Sequence, residues 1–237
     1  MFKRLKKLLP RKFITRLTIC TTPFVRLRYG APLTIRPNTT DASVFRDIFF
    51  YGDLAVKLAQ APKVIIDAGA YVGYSAVYLA KRFPDAQIIA VEPEVSNFAQ
   101  LQKHTTHLSR ITCVQGALWS ESTPLKITDR DTGHWGFNVT ATKPGETHDV
   151  MGYSIGDLLA KISVSSADFV KLDIEGSEYQ LFTHNPQSWL SQVNTILVEL
   201  HERIAPGCTE AVLQALPAAD WEQSDKGEKL LFTRKTS

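Results

Sequence analysis

Lys63-Val64-Ile65-Ile66-Asp67-Ala68-Gly69-Ala70-Tyr71-Val72-Gly73 begins as a short β-branched apolar run and ends on two glycines four residues apart. A run of this kind marks a strand buried on both faces. Glycine lets the backbone turn sharply and approach a ligand closely. The segment Ser75 to Phe83 carries Ala76, Val77, Leu79 and Ala80 at helical spacing and is stopped by Pro84. The stretch is therefore expected to form strand, tight loop and helix, the unit from which parallel sheets with ligand-binding loops are assembled.

Working outward, the same alternation repeats. Gln87 to Val91, Ile111 to Val114, Ala167 to Leu172 and Thr195 to Leu200 read as further strands. Val95 to Leu108, Ser154 to Ile162, Ser177 to Thr183 and Thr209 to Leu216 read as helices. Trp221 to Ser224 and Lys229 to Thr233 flank Asp225-Lys226-Gly227 and predict a terminal hairpin. Upstream, Leu33-Thr34-Ile35-Arg36 alternates like a short strand, and Thr40-Asp41 offers an N-cap to a helix carrying Val44, Phe45, Ile48 and Phe49. Residues 117–153 break the rhythm. They are rich in Thr, Gly, Pro and charge, with Leu125-Lys126-Ile127 and Phe137-Asn138-Val139 alternating, and are expected to be an inserted β-rich hairpin or lid. The sum is an α/β fold: an open, mostly parallel sheet with helices on both faces and a terminal antiparallel hairpin.

The chain has 237 residues, 44% of them hydrophobic, enough for one well-buried domain with an appendage. The expected division is a basic arm, 1–32, and a domain, 33–237. The net charge of +3 conceals an asymmetry. Residues 1–40 hold ten Lys or Arg and no acid, whereas the remainder holds seventeen basic and twenty-four acidic residues. Phe2, Leu5, Leu8 and Leu9, then Phe13, Ile14 and Leu17, stand at helical spacing among the basic residues. That pattern suits peripheral contact with an anionic membrane surface through residues 1–28. Packing on the domain itself or on a second subunit of a homo-oligomer is the competing reading. No apolar run approaches the roughly 18–20 residues of a spanning helix. Pro10-Arg11-Lys12 interrupts the signal-peptide-like start. The three scattered cysteines read as reduced thiols, and a cytoplasmic protein is expected.

The loop Asp67–Gly73 lacks the Gly-x-Gly-x-x-Gly spacing that seats a pyrophosphate on a helix N-terminus, which weighs against NAD. A carboxylate at Asp67 would repel a diphosphate and suit a ligand bearing an ammonium, as S-adenosylmethionine does. Glu92, 25 residues on, ends the second strand and is placed to accept hydrogen bonds from ribose hydroxyls. The fourth strand ends in Lys171-Leu172-Asp173-Ile174-Glu175-Gly176-Ser177-Glu178, with Asp173 expected near the reacting end of a bound cofactor and Glu178 in a helix's first turn. The fifth ends in Glu199-Leu200-His201. Alternation puts Glu199 and His201 on one face, so the carboxylate could orient the imidazole as a general base. His134 in the insertion is a candidate substrate contact. Asp173, Glu175, Glu199 and His201 offer donors for a divalent ion, but no spacing enforces metal geometry and no metal is expected.

Taken together, Leu33–Pro37 with Thr40-Asp41, the loop Ile66–Gly73, Val91-Glu92-Pro93, Gly116-Ala117-Leu118-Trp119, Lys171–Glu178 and Glu199-Leu200-His201 resemble, in order and spacing, the FkbM family of methyltransferases over roughly residues 33–202. The resemblance implies a seven-stranded, Rossmann-like class I methyltransferase fold and S-adenosylmethionine as methyl donor. It also implies O-methylation of a hydroxyl on a sugar, glycolipid or related metabolite. By position it implies Asp67, Gly69, Tyr71 and Gly73 as cofactor loop, Glu92 on the ribose and Ala117 against the adenine. Asp173, His201 and Glu199 fall on the catalytic side. Tyr71 departs from the family, which usually has Asn there. An NAD-type oxidoreductase and a non-catalytic binding module are the alternatives. Nucleic acid is disfavoured as a partner by the acidic body and the absence of an Asn/Asp-Pro-Pro-Tyr-type motif.

Overall fold

The computed structural model describes residues 23–129, 137–143 and 145–235. The main sheet has seven strands: β1 (Val64–Ala68), β2 (Gln87–Glu92), β3 (Ile111–Gln115), β8 (Ala167–Leu172), β9 (Val193–Glu199), β10 (Trp221–Lys226) and β11 (Lys229–Arg234). Their spatial order is β3-β2-β1-β8-β9-β11-β10. The first five are mutually parallel, while β11 runs antiparallel to both β9 and β10. The chain leaves β1 toward β2 and β3 on one side and returns to β8 and β9 on the other. The crevice where such an order reverses, at the carboxyl ends of β1 and β8, is where sheets of this kind bind ligands.

Successive strand residues point to opposite faces, and both faces are covered. Ile66, Val170 and Ile196 pack toward Leu158 and Leu159 of α4 (Ile155–Ala160), Leu181 and Phe182 of α5 (Ser177–Thr183), Leu190 of α6 (Gln187–Leu190) and Val212 of α7 (Cys208–Ala215). Their neighbours Ile65, Phe169 and Leu197 pack toward Phe45 and Ile48 of α1 (Asp41–Phe49) and toward Val77 of α2 (Tyr74–Arg82). Each such side chain contributes about 1.5–3 kcal/mol by leaving water. Phe45 and Tyr74 meet edge-to-face at 5.3 Å and fasten α1 to α2. Ser154 caps α4 in a reciprocal capping box with Asp157. The helix α3 (Val95–Thr105) is capped by the Glu94 carboxylate, which accepts from Ser96 and Asn97 N–H.

Two expectations change. Leu33–Arg36 forms no strand and joins no sheet. Side chains take up its backbone groups instead: Thr34 N–H donates to His104 Nε2 at 3.0 Å, Tyr74 hydroxyl donates to Thr34 carbonyl, and Arg36 N–H donates to Asp41 at 2.8 Å. The insertion is also more than a hairpin. β4 (Ala117–Leu118), β5 (Thr123–Asp129), β6 (Phe137–Ala141) and β7 (Val150–Tyr153) form a separate four-stranded sheet in the order β4-β7-β5-β6. Among the described residues, no helix is long and apolar enough to cross a membrane.

Candidate active site

The glycine loop is fixed from three sides. Gly69 and Ala70 N–H both donate to Val91 carbonyl, at 3.1 and 2.9 Å, tying the loop to β2. Gly69 has φ +73°, and a β-carbon there would lie 1.8 Å from the carbonyl oxygen of Asp173. Two crossing backbones thus require glycine, as does Gly73 (φ +87°) where the loop meets Leu101. Beneath the loop, Asp67 is fully buried. It accepts from Ser75 hydroxyl at 2.5 Å and faces the Lys171 ammonium at 3.3 Å. Lys171 in turn donates to Gly69 carbonyl at 2.7 Å and stands 3.6 Å from Asp173. Burial works against the Lys171 charge, but Asp67 and Asp173 more than offset it and raise its pKa.

A crevice crosses the strand ends. One arm is lined by Gly69, Val91, Glu92, Gly116, Ala117 and Leu118 and roofed by Phe137 and Val139 of the insertion. The other, about 440 Å³, shares Gly69, Glu92, Asp173 and Glu175 with the first. Its walls are residues 44–54 on one side and the β10–β11 turn, Lys226 to Lys229, on the other. Glu92 stands where the arms meet. Its Oε2 accepts from Tyr71 N–H at 3.0 Å, and its Oε1 accepts from Glu94 N–H at 3.2 Å and Asn97 Nδ2 at 3.3 Å. Burial pushes its carboxyl up to about 7 despite these donors.

Asp173 ends β8 facing the crevice, its side chain 28% exposed. Burial would raise its pKa, but Lys171, Lys229 and His201 together hold it below the usual carboxylate range, so it is ionised at neutral pH. His201 follows β9 with Nε2 3.8 Å from both Asp173 and Glu175. Its Nδ1 lies 2.9 Å from Glu178 Oε1. Burial disfavours the imidazolium, yet the bond to Glu178 and the charges of Glu178, Asp173 and Glu175 prevail and push His201 up to about 9. Glu175 occupies a left-handed backbone position (φ +53°). Burial pushes its carboxyl up to about 7, with His201 opposing and Asp173, Glu178 and Glu199 reinforcing the rise. Lys229 bridges Asp53, at 2.9 Å, and Glu199.

The structure thus brings Asp173, Glu199 and His201 together, with ligating atoms within 4.8 Å of one another. Lys171, Lys229 and the imidazolium already place three cations among these acids. Gly69, Tyr71, Glu92 and Ala117 line the crevice, whereas Gly73 lines neither arm. Several details differ. Asp67 lines neither arm; it supports the loop from below, where Lys171 and Ser75 occupy it. Glu178, not Glu199, orients His201, because Glu199 is taken by Lys229. A histidine raised to about 9 is protonated at neutral pH and is no general base in this state. The insertion roofs the Glu92–Ala117 arm, whereas residues 44–54 and the terminal hairpin wall the other. His134 lies outside the described residues. Sequence reasoning gave no role to Lys171, Lys229 or Asp53. Only Lys171, two residues before Asp173 at the end of a mostly apolar strand, carried a visible signal.

Comparison with known proteins identifies the family. The family model of the FkbM methyltransferase domain matches residues 67–222. A curated relative, "Methyltransferase 1" of Beauveria bassiana (strain ARSEF 2860), is 22% identical over 223 residues, covering 81% of this chain and 89% of the relative. Among solved structures, an FkbM methyltransferase from Methylobacillus flagellatus KT superposes with a TM-score of 0.48 at 16% identity. That match covers 80% of this chain and 47% of the other, so the chain spans about half of that protein. A putative O-methyltransferase from Klebsiella pneumoniae gives 0.47 at 12% identity, with 99% and 95% covered. These structural likenesses are distant, and the assignment rests on the family match. The loop, Glu92 and the Lys171–Glu178 run all fall inside the matched residues, and the chain belongs to the FkbM family of methyltransferases.

Proposed function

We propose that the enzyme transfers a methyl group from S-adenosylmethionine to a hydroxyl of a sugar, glycolipid or related metabolite. The observation that carries this reading is the two-armed crevice with Glu92 at its junction and Asp173 facing the space beyond. The lining of the first arm suits a nucleoside. Ala117, Leu118, Phe137 and Val139 offer an apolar slot for a base, and Glu92 Oε2, with one described donor on it, has capacity for a ribose hydroxyl. S-adenosylmethionine supplies a methyl group already activated on a sulfonium, so the protein's work is alignment and removal of one proton. Asp173, ionised and facing the crevice, is the counter-charge for a cation there. Glu175, pushed up to about 7, is a better-matched proton acceptor than the protonated His201, which is the cation that steadies it.

Calorimetry with S-adenosylhomocysteine tests the cofactor half. The wild type should bind, and Glu92→Ala should weaken binding at least about tenfold through lost carboxylate–hydroxyl bonds. Glu175→Gln should keep that affinity while slowing methyl transfer to a hydroxylated acceptor about a hundredfold. A wild type that binds no S-adenosylhomocysteine would sink the proposal.

The membrane reading of the arm gains one support. Residues 23–29 are helical, and Phe24 and Leu27 are 64% and 85% exposed beside the exposed Arg26 and Arg28. An apolar pair flanked by arginines suits the interface of an anionic bilayer. The full chain should co-sediment with phosphatidylglycerol-containing vesicles, and Phe24→Glu/Leu27→Glu should release it. Equal sedimentation of both proteins would refute the idea.

A further inference from the structure

Tyr71 holds a left-handed backbone position, with φ +51°. Asn enters the left-handed region readily, whereas a bulky residue there is unusual. The strain is offset by what the ring does. The Tyr71 hydroxyl donates to Asp41 Oδ1 at 2.6 Å and lies 3.0 Å from Thr40 Oγ1. Asp41 is fully buried and takes a two-point bond from the Arg36 guanidinium, Nε to Oδ2 at 3.0 Å and Nη2 to Oδ1 at 2.9 Å. It also accepts the Arg36 backbone N–H at 2.8 Å. Arg36 lies 5.4 Å over the Tyr71 ring and passes a further bond to Asn97 Oδ1 at 2.8 Å. Asn97 Nδ2 then donates to Glu92 Oε1, and Tyr71 N–H donates to Glu92 Oε2.

The contacts close a ring: Tyr71, Asp41, Arg36, Asn97, Glu92 and back to Tyr71. Two of the three described donors that aim the Glu92 carboxylate are therefore members of the ring. The third, Glu94 N–H, is local to the β2–α3 turn. A buried network with every member paired fixes a single geometry. Losing one member frees its neighbours to move.

We infer that Tyr71, which lines the second arm of the crevice, is a positioning residue for nucleoside binding: its hydroxyl holds Glu92, through Asp41, Arg36 and Asn97, at the angle its ribose contact needs. This rests on the reading of Glu92 as the ribose-binding carboxylate. It assigns the short segment 36–41, upstream of the sheet, to the cofactor site without any contact of its own with the ligand.

The test is a cycle of two proteins and two ligands, S-adenosylhomocysteine and its 2′-deoxyribose counterpart, read by calorimetry. The wild type should prefer the ribose form. In Tyr71→Phe, which keeps the ring and loses the hydroxyl, affinity for S-adenosylhomocysteine should fall about tenfold and the ribose preference should shrink several-fold. Tyr71→Asn, which suits the backbone but cannot reach Asp41, should behave like Tyr71→Phe. A merely structural tyrosine would weaken both ligands equally. An unchanged preference in both variants, or wild-type behaviour of Tyr71→Asn, overturns the inference. Failure of the wild type to bind either ligand overturns instead the reading of Glu92 on which it rests.

Discussion

Gly69→Ala is expected to abolish S-adenosylhomocysteine binding and to destabilise the domain more than another left-handed glycine replaced by the same residue. Two costs add. Alanine at φ +73° is disfavoured by about 1–2 kcal/mol. Its β-carbon would also stand 1.8 Å from Asp173 oxygen and 2.9 Å from Asp173 carbonyl carbon. Neither contact is with a flexible side-chain end. Relief requires β1 and β8 to part at their carboxyl ends, where Asp173 N–H pairs with Ala68 carbonyl and Lys171 with Gly69 carbonyl. Forced repacking of that kind costs roughly a further 1–3 kcal/mol. Gly30→Ala is the control, because Gly30 has φ +67° with nothing within 4 Å of an added β-carbon. Urea unfolding should place Gly69→Ala below Gly30→Ala by the repacking term alone. Equal stabilities, or intact binding in Gly69→Ala, would show that the strand ends yield more easily than the geometry implies.

The same crossing explains why this part of the molecule was legible in the sequence. The glycine spacing, the apolar run before it and Glu92 are local features, each set by its own strand and turn. The fourth and fifth strands were legible for the same reason. What escaped were contacts made across the fold by residues whose neighbours in sequence say nothing about their partners. Lys229 is an ordinary hairpin residue until β11 lies beside β9 and sets it against Glu199 and Asp53. Leu33–Arg36 alternates like a strand, but its backbone partners include side chains from 39, 41, 74 and 104 and no strand, so its pattern carried burial without a ladder. The insertion's second sheet depends on β4, two residues long, pairing with β7 more than thirty residues later. Pairings of that kind leave no periodic trace. The order of the acid cluster was legible; its pairing was not, because alternation along β9 suggested Glu199 for His201 while the first turn of α5 delivers Glu178.

That pairing carries the second large effect. Glu178→Gln is expected to cost roughly 4 kcal/mol at pH 6, most of it dependent on pH. Glu178 is fully buried, and its two oxygens accept Ile174 N–H at 2.9 Å and Gly176 N–H at 2.7 Å while also holding His201. Glutamine must turn an amide N–H₂ toward one of those donors, a mismatch worth about 1–2 kcal/mol at any pH. The charge part has a definite sign. His201 lies at about 9 in the fold against 6.5 unpaired, so its pairing stabilises the fold fully below pH 6.5 and the contribution is lost as pH rises through 9. A shift of that size corresponds to about 3 kcal/mol, an upper bound because Asp173 and Glu175 share in it. The stability gap between wild type and Glu178→Gln should therefore be widest at pH 6 and close to the mismatch term alone above pH 9. Urea titrations at pH 6, 7.5 and 9 measure the gap, and the ring resonances of His201 give its titration directly, moving down toward neutrality in the variant. Groups that Glu178 does not perturb titrate alike in both proteins and cancel in the difference; Glu175, raised in part by Glu178, does not, so the His201 resonances and not the gap alone assign the effect. A gap that stays flat across this range would mean that His201 is neutral beside Glu178. The base role would then return from Glu175 to the histidine.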